Sequence, residues 1–276
     1  APADPNHTDD IFVRDLIEGV TYMASVSISG LSGNDFSSSP SISDDGNLVA
    51  FYSWATDLVN GDTNSFRDVF VRDLLSGETT RVSVASDGTQ GNADSTVAAI
   101  SGDGLSVAFY SEATNLVVND VNGFEDIFVH DRLSGETTLV SIASDGTPGN
   151  YGSSSPSISG DGQYVAFQSW ADNLVDGDTN NYDDIFVHDR IGGETIRVSV
   201  ATDGTEADNY SWSPSIAADG IRIAFESFAT NLVSGDTALC DNDGDGIPES
   251  NCEDVFVHEQ EKQSVSLWLM LPIVVK

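Results

Sequence analysis

The segment Ser155-Pro-Ser-Ile-Ser-Gly-Asp-Gly-Gln-Tyr-Val-Ala-Phe-Gln-Ser169, followed after a loop by Asp184-Ile-Phe-Val-His-Asp189, carries two motifs that return throughout the chain. The second recurs as Asp10-Ile-Phe-Val-Arg-Asp15, Asp68-Val-Phe-Val-Arg-Asp73, Asp126-Ile-Phe-Val-His-Asp131 and Asp254-Val-Phe-Val-His-Glu259. Its copies at 10, 68, 126 and 184 are 58 residues apart, and the one at 254 follows after 70. The extra twelve residues fall in the stretch that carries both cysteines. The first motif keeps the same phase, as Pro40-Ser-Ile-Ser-Asp-Asp-Gly46, Ala98-Ala-Ile-Ser-Gly-Asp-Gly104 and Pro214-Ser-Ile-Ala-Ala-Asp-Gly220. Two independent motifs on one period mark a repeat architecture.

Each unit holds four short strand candidates bounded by turn signals. In the third unit they are 155–159, 164–169, 185–189 and 195–200, with Asp-Gly and Gly192-Gly193 supplying the tight turns. No stretch keeps a helical period over three turns. Four antiparallel strands per unit at a fixed period predict an all-β β-propeller. The turn-plus-Ala-Phe half occurs four times and the Asp-Ile-Phe-Val half five times. The expectation is therefore four full four-stranded blades plus an N-terminal half-blade at roughly 11–16 and 21–27, about five blades in a single domain over 1–276. The apolar tail 265–276 is expected to complete the half-blade, either within the chain or in a neighbouring copy. An exposed apolar strand of that length would otherwise aggregate.

These residues resemble the TolB-like, WD40-like (PD40) propeller repeat, whose core is a Pro-x-x-Ser-x-Asp-Gly turn, an Ala-Phe strand and an Asp-Ile-Phe-Val strand. The resemblance spans nearly the whole chain. It implies the fold, whereas propellers host many activities.

Composition narrows the partners. Asp and Glu number 45 against 10 Lys and Arg, a net charge of −35. Such a surface repels nucleic acid and anionic membranes. A hydrophobic fraction of 39% with 13 Phe is too rich for a disordered acidic chain. The carboxylates thus sit on a folded surface and call for neutralising cations. The run at 265–275 is too short to span a bilayer as a helix and contains Pro272. Ala1-Pro-Ala-Asp4 has neither an initiator Met nor a signal-like apolar run, and reads as an already processed start. Cys240 and Cys252, lying in a Gly/Asp loop, read as a local disulfide in an oxidising compartment.

An Asp-x-Asn-x-x-x-Asp pattern precedes each Ile-Phe-Val strand. It appears as Asp4/Asn6/Asp10, Asp62/Asn64/Asp68, Asp120/Asn122/Asp126 and Asp178/Asn180/Asp184, with a fifth copy begun at Asp236. Ca²⁺ takes six to eight oxygens from carboxylates, amide carbonyls and main chain on a turning loop. Asp and Asn are also good turn residues. In-register repetition on so acidic a chain favours calcium. The insertion at 237–253 resembles the calcium loops of thrombospondin type-3 repeats. That resemblance implies Asp241, Asp243, Asp245, the Ile247 carbonyl and Glu249 as ligands, with help from Glu253 or Asp254 because Cys252 replaces a closing acid. A Cys240–Cys252 bridge would close a loop of about a dozen residues, worth roughly 2–3 kcal/mol.

Other residues promise less chemistry. His130, His188 and His258 share one repeat position with Arg14 and Arg72, which favours a hydrogen-bonding role over a zinc or catalytic one. There is no Gly-x-Ser-x-Gly elbow and no His-Glu-x-x-His pair. Glu112, Glu206 and Glu226 break the repeat pattern without forming an evident acid/base pair. Trp54, Trp170, Trp212, Tyr52 and Tyr210 are expected to pack between blades rather than to stack on sugars. Asn6-His-Thr8 and Asn209-Tyr-Ser211 are glycosylation sequons.

The sequence thus points to a secreted, extracellular or cell-surface protein without catalytic residues. It is expected to be a calcium-binding structural or filament-forming propeller and not an enzyme, with copies of itself, an extracellular protein or a glycan as partner. The alternative is a TolB-like periplasmic or extracellular protein- or glycan-binding module. A hydrolase or lyase on a propeller scaffold is a third reading.

Overall fold

The period of two in Ile185-Phe186-Val187-His188 turns alternate side chains to opposite faces of a strand. Both faces here are covered, so the strand is apolar throughout. In the computed structural model, residues 7–118, 120–235, 239–240, 250–251 and 253–260 are described, the pairs 239–240 and 250–251 by their backbone alone. The chain runs β1 (Phe12–Arg14), β2 (Thr21–Met23), β3 (Ser37–Ile42), β4 (Leu48–Ser53), β5 (Asp68–Asp73), β6 (Thr79–Arg81), β7 (Ser95–Ile100), β8 (Ser106–Ser111), β9 (Asp126–Asp131) and β10 (Thr137–Leu139). It continues through β11 (Ser153–Ile158), β12 (Tyr164–Ser169), β13 (Asp184–Asp189), β14 (Thr195–Arg197), β15 (Ser211–Ile216), β16 (Arg222–Ser227), β17 (Leu239–Cys240), β18 (Ser250–Asn251) and β19 (Asp254–Glu259).

Among the described residues, β3–β6, β7–β10 and β11–β14 form three antiparallel four-stranded meanders. β15, β16 and β19 form a fourth sheet, and β1 and β2 a half-blade. The fourth strand expected in the last blade, and the whole tail 265–276, lie outside the described residues. The outer strands are shorter than expected. β14 ends at Arg197 because the chain then folds into the Ala201-to-Gly204 turn, closed by a lone bridge between Val200 and Glu206. The inner strand of each blade is bulged opposite its neighbour at one equivalent place, where Ser39, Val97, Ser155 and Ser213 have φ of 46–54°.

The blades pack by a rule that the strand period imposes. The Phe of each Ile-Phe-Val strand faces the preceding blade, and the flanking Ile or Val faces the next. Phe70, Phe128 and Phe186 are fully buried, each about 6 Å from the Phe of the adjoining strand. Four apolar clusters result, one at each junction from the half-blade to the fourth blade.

The ends of the array break the rule. Val255 and Val257 of the fourth blade are 72% and 65% exposed, where Val69, Val71, Ile185 and Val187 are covered. At the other end, Phe12 is 49% exposed where Phe70 is 0%, and Ile42 is 48% exposed where Ile100 is 6%. Among the described residues, the two ends are the complementary halves of a blade interface, and neither is covered.

Candidate metal centre

The Asp that opens each long strand is a structural hub. Asp68, Asp126 and Asp184 are fully buried, and their Oδ1 atoms accept the hydroxyls of Ser83, Ser141 and Ser199 at 2.5–2.6 Å. Each serine Oγ also accepts the next strand amide, from Val69, Ile127 or Ile185. Asp10 is held the same way by Ser25, at 2.6 Å. The second oxygen accepts the Nδ2–H of Asn64, Asn122 or Asn180 at 2.7–2.9 Å. The amide oxygens of these asparagines accept the backbone N–H of Phe66, Phe124 and Tyr182. The asparagines are therefore engaged in the framework of the loop.

The first Asp of the pattern differs between blades. Arg81 Nη1 lies 3.2 Å from both Asp62 Oδ1 and Asp68 Oδ2, and also donates to Gln90 Oε1 at 3.0 Å. Arg197 Nη1 lies 3.0 Å from Asp178, 3.2 Å from Asp184 and 3.1 Å from Glu206. One guanidinium nitrogen thus holds the point where a cation between the carboxylates would sit. In the middle loop the equivalent of Arg81 and Arg197 is Leu139, and that of Gln90 and Glu206 is Pro148. Asp120 is 5% exposed there, and among the described residues neither carboxylate oxygen has a hydrogen-bond partner. Burying an ionised carboxylate without partner or counter-charge is costly.

The electrostatics follow. Burial alone raises the Asp120 carboxyl above the ordinary range. Burial first, with the charges of Asp120 and Glu125 adding to it, pushes Asp126 up to about 6 against the opposing hydrogen bonds of Ser141 and Asn122. Asp178 is also pushed up to about 6, by burial and then by Asp184, despite Arg197. Burial likewise raises Asp62, Asp68 and Asp184. Glu206 overcomes a burial penalty and is held low by the hydroxyl and amide of Thr179 and by Arg197.

Asp4, Asn6, Asp236, Asp241, Asp243, Asp245, Ile247, Glu249 and Cys252 lie outside the described residues. Cys240 pairs through its backbone with Ser250. Asp254 opens β19 opposite Ser227, half-buried. Among the described residues, no group of three or more His, Cys, Asp or Glu side chains is placed to hold a metal. An ion at Asp120 and Asp126 would therefore draw most of its oxygens from main chain and water.

The histidines do not converge. His130 and His188 place Nδ1 2.9 Å from the hydroxyls of Thr137 and Thr195, the bond that Arg14 and Arg72 make to Thr21 and Thr79. Each of those two threonines spends its hydroxyl proton on a carbonyl of the preceding blade, Val84 or Ile142. The imidazole must then donate from Nδ1, and burial holds it neutral. Of the aromatics expected to pack between blades, Tyr210 meets Tyr182 of the preceding blade at 4.7 Å, Trp54 and Trp212 pack on Phe36 and Phe228 within their own blades at 5.2 and 4.8 Å, and Trp170 is 52% exposed. The residues missed in the sequence were Arg81, Leu139 and Arg197, legible only by aligning the units.

No family model matches the chain, and none of the curated proteins does. Among solved structures, TolB from Acinetobacter baumannii is 17% identical with a TM-score of 0.47, covering 81% of this chain and 46% of its own. An oligogalacturonate lyase in complex with manganese is 13% identical, covering 81% of this chain and 57% of its own, with a TM-score of 0.48. The acylaminoacyl peptidase of Pyrococcus horikoshii is 14% identical, covering 91% and 34%, also at 0.48. The chain spans less than half the length of the Acinetobacter protein. The expectation that the chain is not an enzyme is corrected by these likenesses: a lyase and a peptidase share the fold, so blade repeats do not exclude catalysis. At such identities no reaction transfers. Among the described residues no helix is long and apolar enough to cross a membrane. Successive four-stranded meanders packed face to face, on a repeat of 58 residues, make the chain a β-propeller.

Proposed function

We propose that the chain is an extracytoplasmic binding propeller that takes a calcium ion in the loop 120–126. The ion supplies there the positive charge that Arg81 and Arg197 supply in the blades on either side. The supporting observation is Asp120, buried with both oxygens unpartnered among the described residues, beside the fully buried Asp126. Calcium suits such a loop better than magnesium, because it accepts irregular oxygen shells and gives up water readily. Few side-chain ligands imply weak binding, matched to the high free calcium outside cells. Its work is structural: an ion bound only by the folded state stabilises it by mass action. The partner of the propeller is a protein. Calorimetry of EDTA-stripped protein should show a melting temperature that rises by several degrees with millimolar calcium. Coincident melting curves with and without calcium overturn the reading.

The uncovered ends favour a second reading, head-to-tail association of copies. Val255 and Val257 of one copy would meet Phe12 and Ile42 of the next, a contact that does not close and so builds a filament. Sedimentation velocity should show a concentration-dependent ladder of oligomers that Val257→Asp reduces to monomer. A single monomer at every concentration sinks this reading.

A further inference from the structure

Between the second and third blades lies a cleft of 570 Å³ walled by aromatic rings and carboxylates. Its walls include Phe124, Tyr151 and Trp170, with the carboxylates of Glu125, Asp172 and Asp183. None of its lining residues is Lys, Arg or His. The three rings are 40–52% exposed, and Phe124 and Tyr151 sit 5.5 Å apart.

Repeat comparison shows why the cleft is open. The position of Gly152 is Phe36, Asp94 and Tyr210 in the other units. Phe36 packs on Trp54 at 5.2 Å, and Tyr210 on Tyr182 at 4.7 Å. Asp94 is bridged to Arg67 at 2.7 Å. Gly152 has no side chain to fill the space, and its φ is not one that requires glycine. The same junction reverses a charge, since Glu125 stands where Arg67 stands one unit earlier.

The first blade displays what the cleft is built to hold. There the Arg67 guanidinium lies over the Trp54 ring, 5.8 Å from its centroid. Trp170 is the repeat equivalent of Trp54, but the equivalent of Arg67 beside it is Asp183. A tryptophan face that carries an internal cation in one blade is thus left bare among acids in another. A cation over an aromatic face is attracted by the ring quadrupole, more strongly with carboxylates beside it.

We propose that this cleft binds the cationic side chain of a basic polypeptide, its stem on Trp170 and its head among Glu125, Asp172 and Asp183. A net charge of −35 steers such a partner towards the protein.

The test compares three probes by calorimetric titration: a short arginine-containing peptide, the same peptide with citrulline at that place, and cellohexaose. The arginine peptide should bind, weaken as salt rises, and exceed the citrulline peptide by about tenfold. Trp170→Ala should abolish binding. So should Gly152→Tyr, which copies the Tyr210 filling of the next junction, and both variants should melt as the parent does. Equal binding of the two peptides, tighter binding of cellohexaose, or undiminished binding by the Gly152→Tyr protein would each overturn the proposal.

Discussion

Leu139→Arg should make the melting temperature indifferent to calcium and raise it in EDTA by about 10 °C. The backbone is already in place for the exchange. Leu139 stands opposite Phe128 in the register where Arg81 opposes Phe70 and Arg197 opposes Phe186. A guanidinium there meets Asp120 and Asp126 as its counterparts meet Asp62 with Asp68, and Asp178 with Asp184. Removing an uncompensated buried charge recovers about 3–5 kcal/mol. Loss of the partly buried leucine from its cluster offsets about 1 kcal/mol. At roughly 2–4 °C per kcal/mol, the net is on the order of 10 °C. The pH profile supplies a second readout. Asp126 has a folded pKa of about 6 against an ordinary 3.8. In EDTA its contribution is therefore fully present below 3.8 and lost as pH rises through about 6, worth about 3 kcal/mol. The arginine variant should show a shallower slope, because the guanidinium opposes the rise without cancelling it, as Arg197 does for Asp178. A variant that keeps the parent's calcium response removes the assignment of the ion to this loop.

Strand order and burial were legible in the sequence because period-two patterning on a fixed repeat leaves little freedom. Phe70, Phe128 and Phe186 face one way because Val69, Ile127 and Ile185 face the other. The loops were less legible for a definite reason. Asp62, Asp120 and Asp178 look alike within their own loops, and what separates them arrives nineteen residues later on another strand, as Arg81, Leu139 or Arg197. Asn64, Asn122 and Asn180 carry oxygens of the kind calcium accepts, but an Asx turn uses those oxygens on the backbone. The cleft was hidden in the same manner. Trp170 looks like any other blade-packing aromatic until Gly152 is set beside Phe36, Asp94 and Tyr210. The absence of nucleophile motifs was read against catalysis but does not exclude it, since glycosidase-type chemistry needs only two carboxylates suitably spaced.

Arg197→Leu should turn the third blade into a copy of the second, and a more demanding one. Arg197 is 8% exposed and shares one nitrogen among Asp178, Asp184 and Glu206. Its removal leaves three carboxylates around an apolar side chain. Breaking a buried pair by deleting one partner typically costs 3–5 kcal/mol, so in EDTA the variant should melt roughly 10 °C below the parent. The same change creates a site with three carboxylates where the 120 loop has two. Calcium should therefore recover most of the loss, bind more tightly than in the parent, and raise the measured stoichiometry by one ion per chain. Arg81→Leu is the graded control. It exposes only Asp62 and Asp68, because Gln90 is neutral where Glu206 is charged, and its recovery by calcium should match that of the natural 120 loop. If both variants are destabilised and neither responds to calcium, the arginines hold their loops by hydrogen-bond geometry that a spherical ion cannot supply. The charge argument for Asp120 would then fall with them.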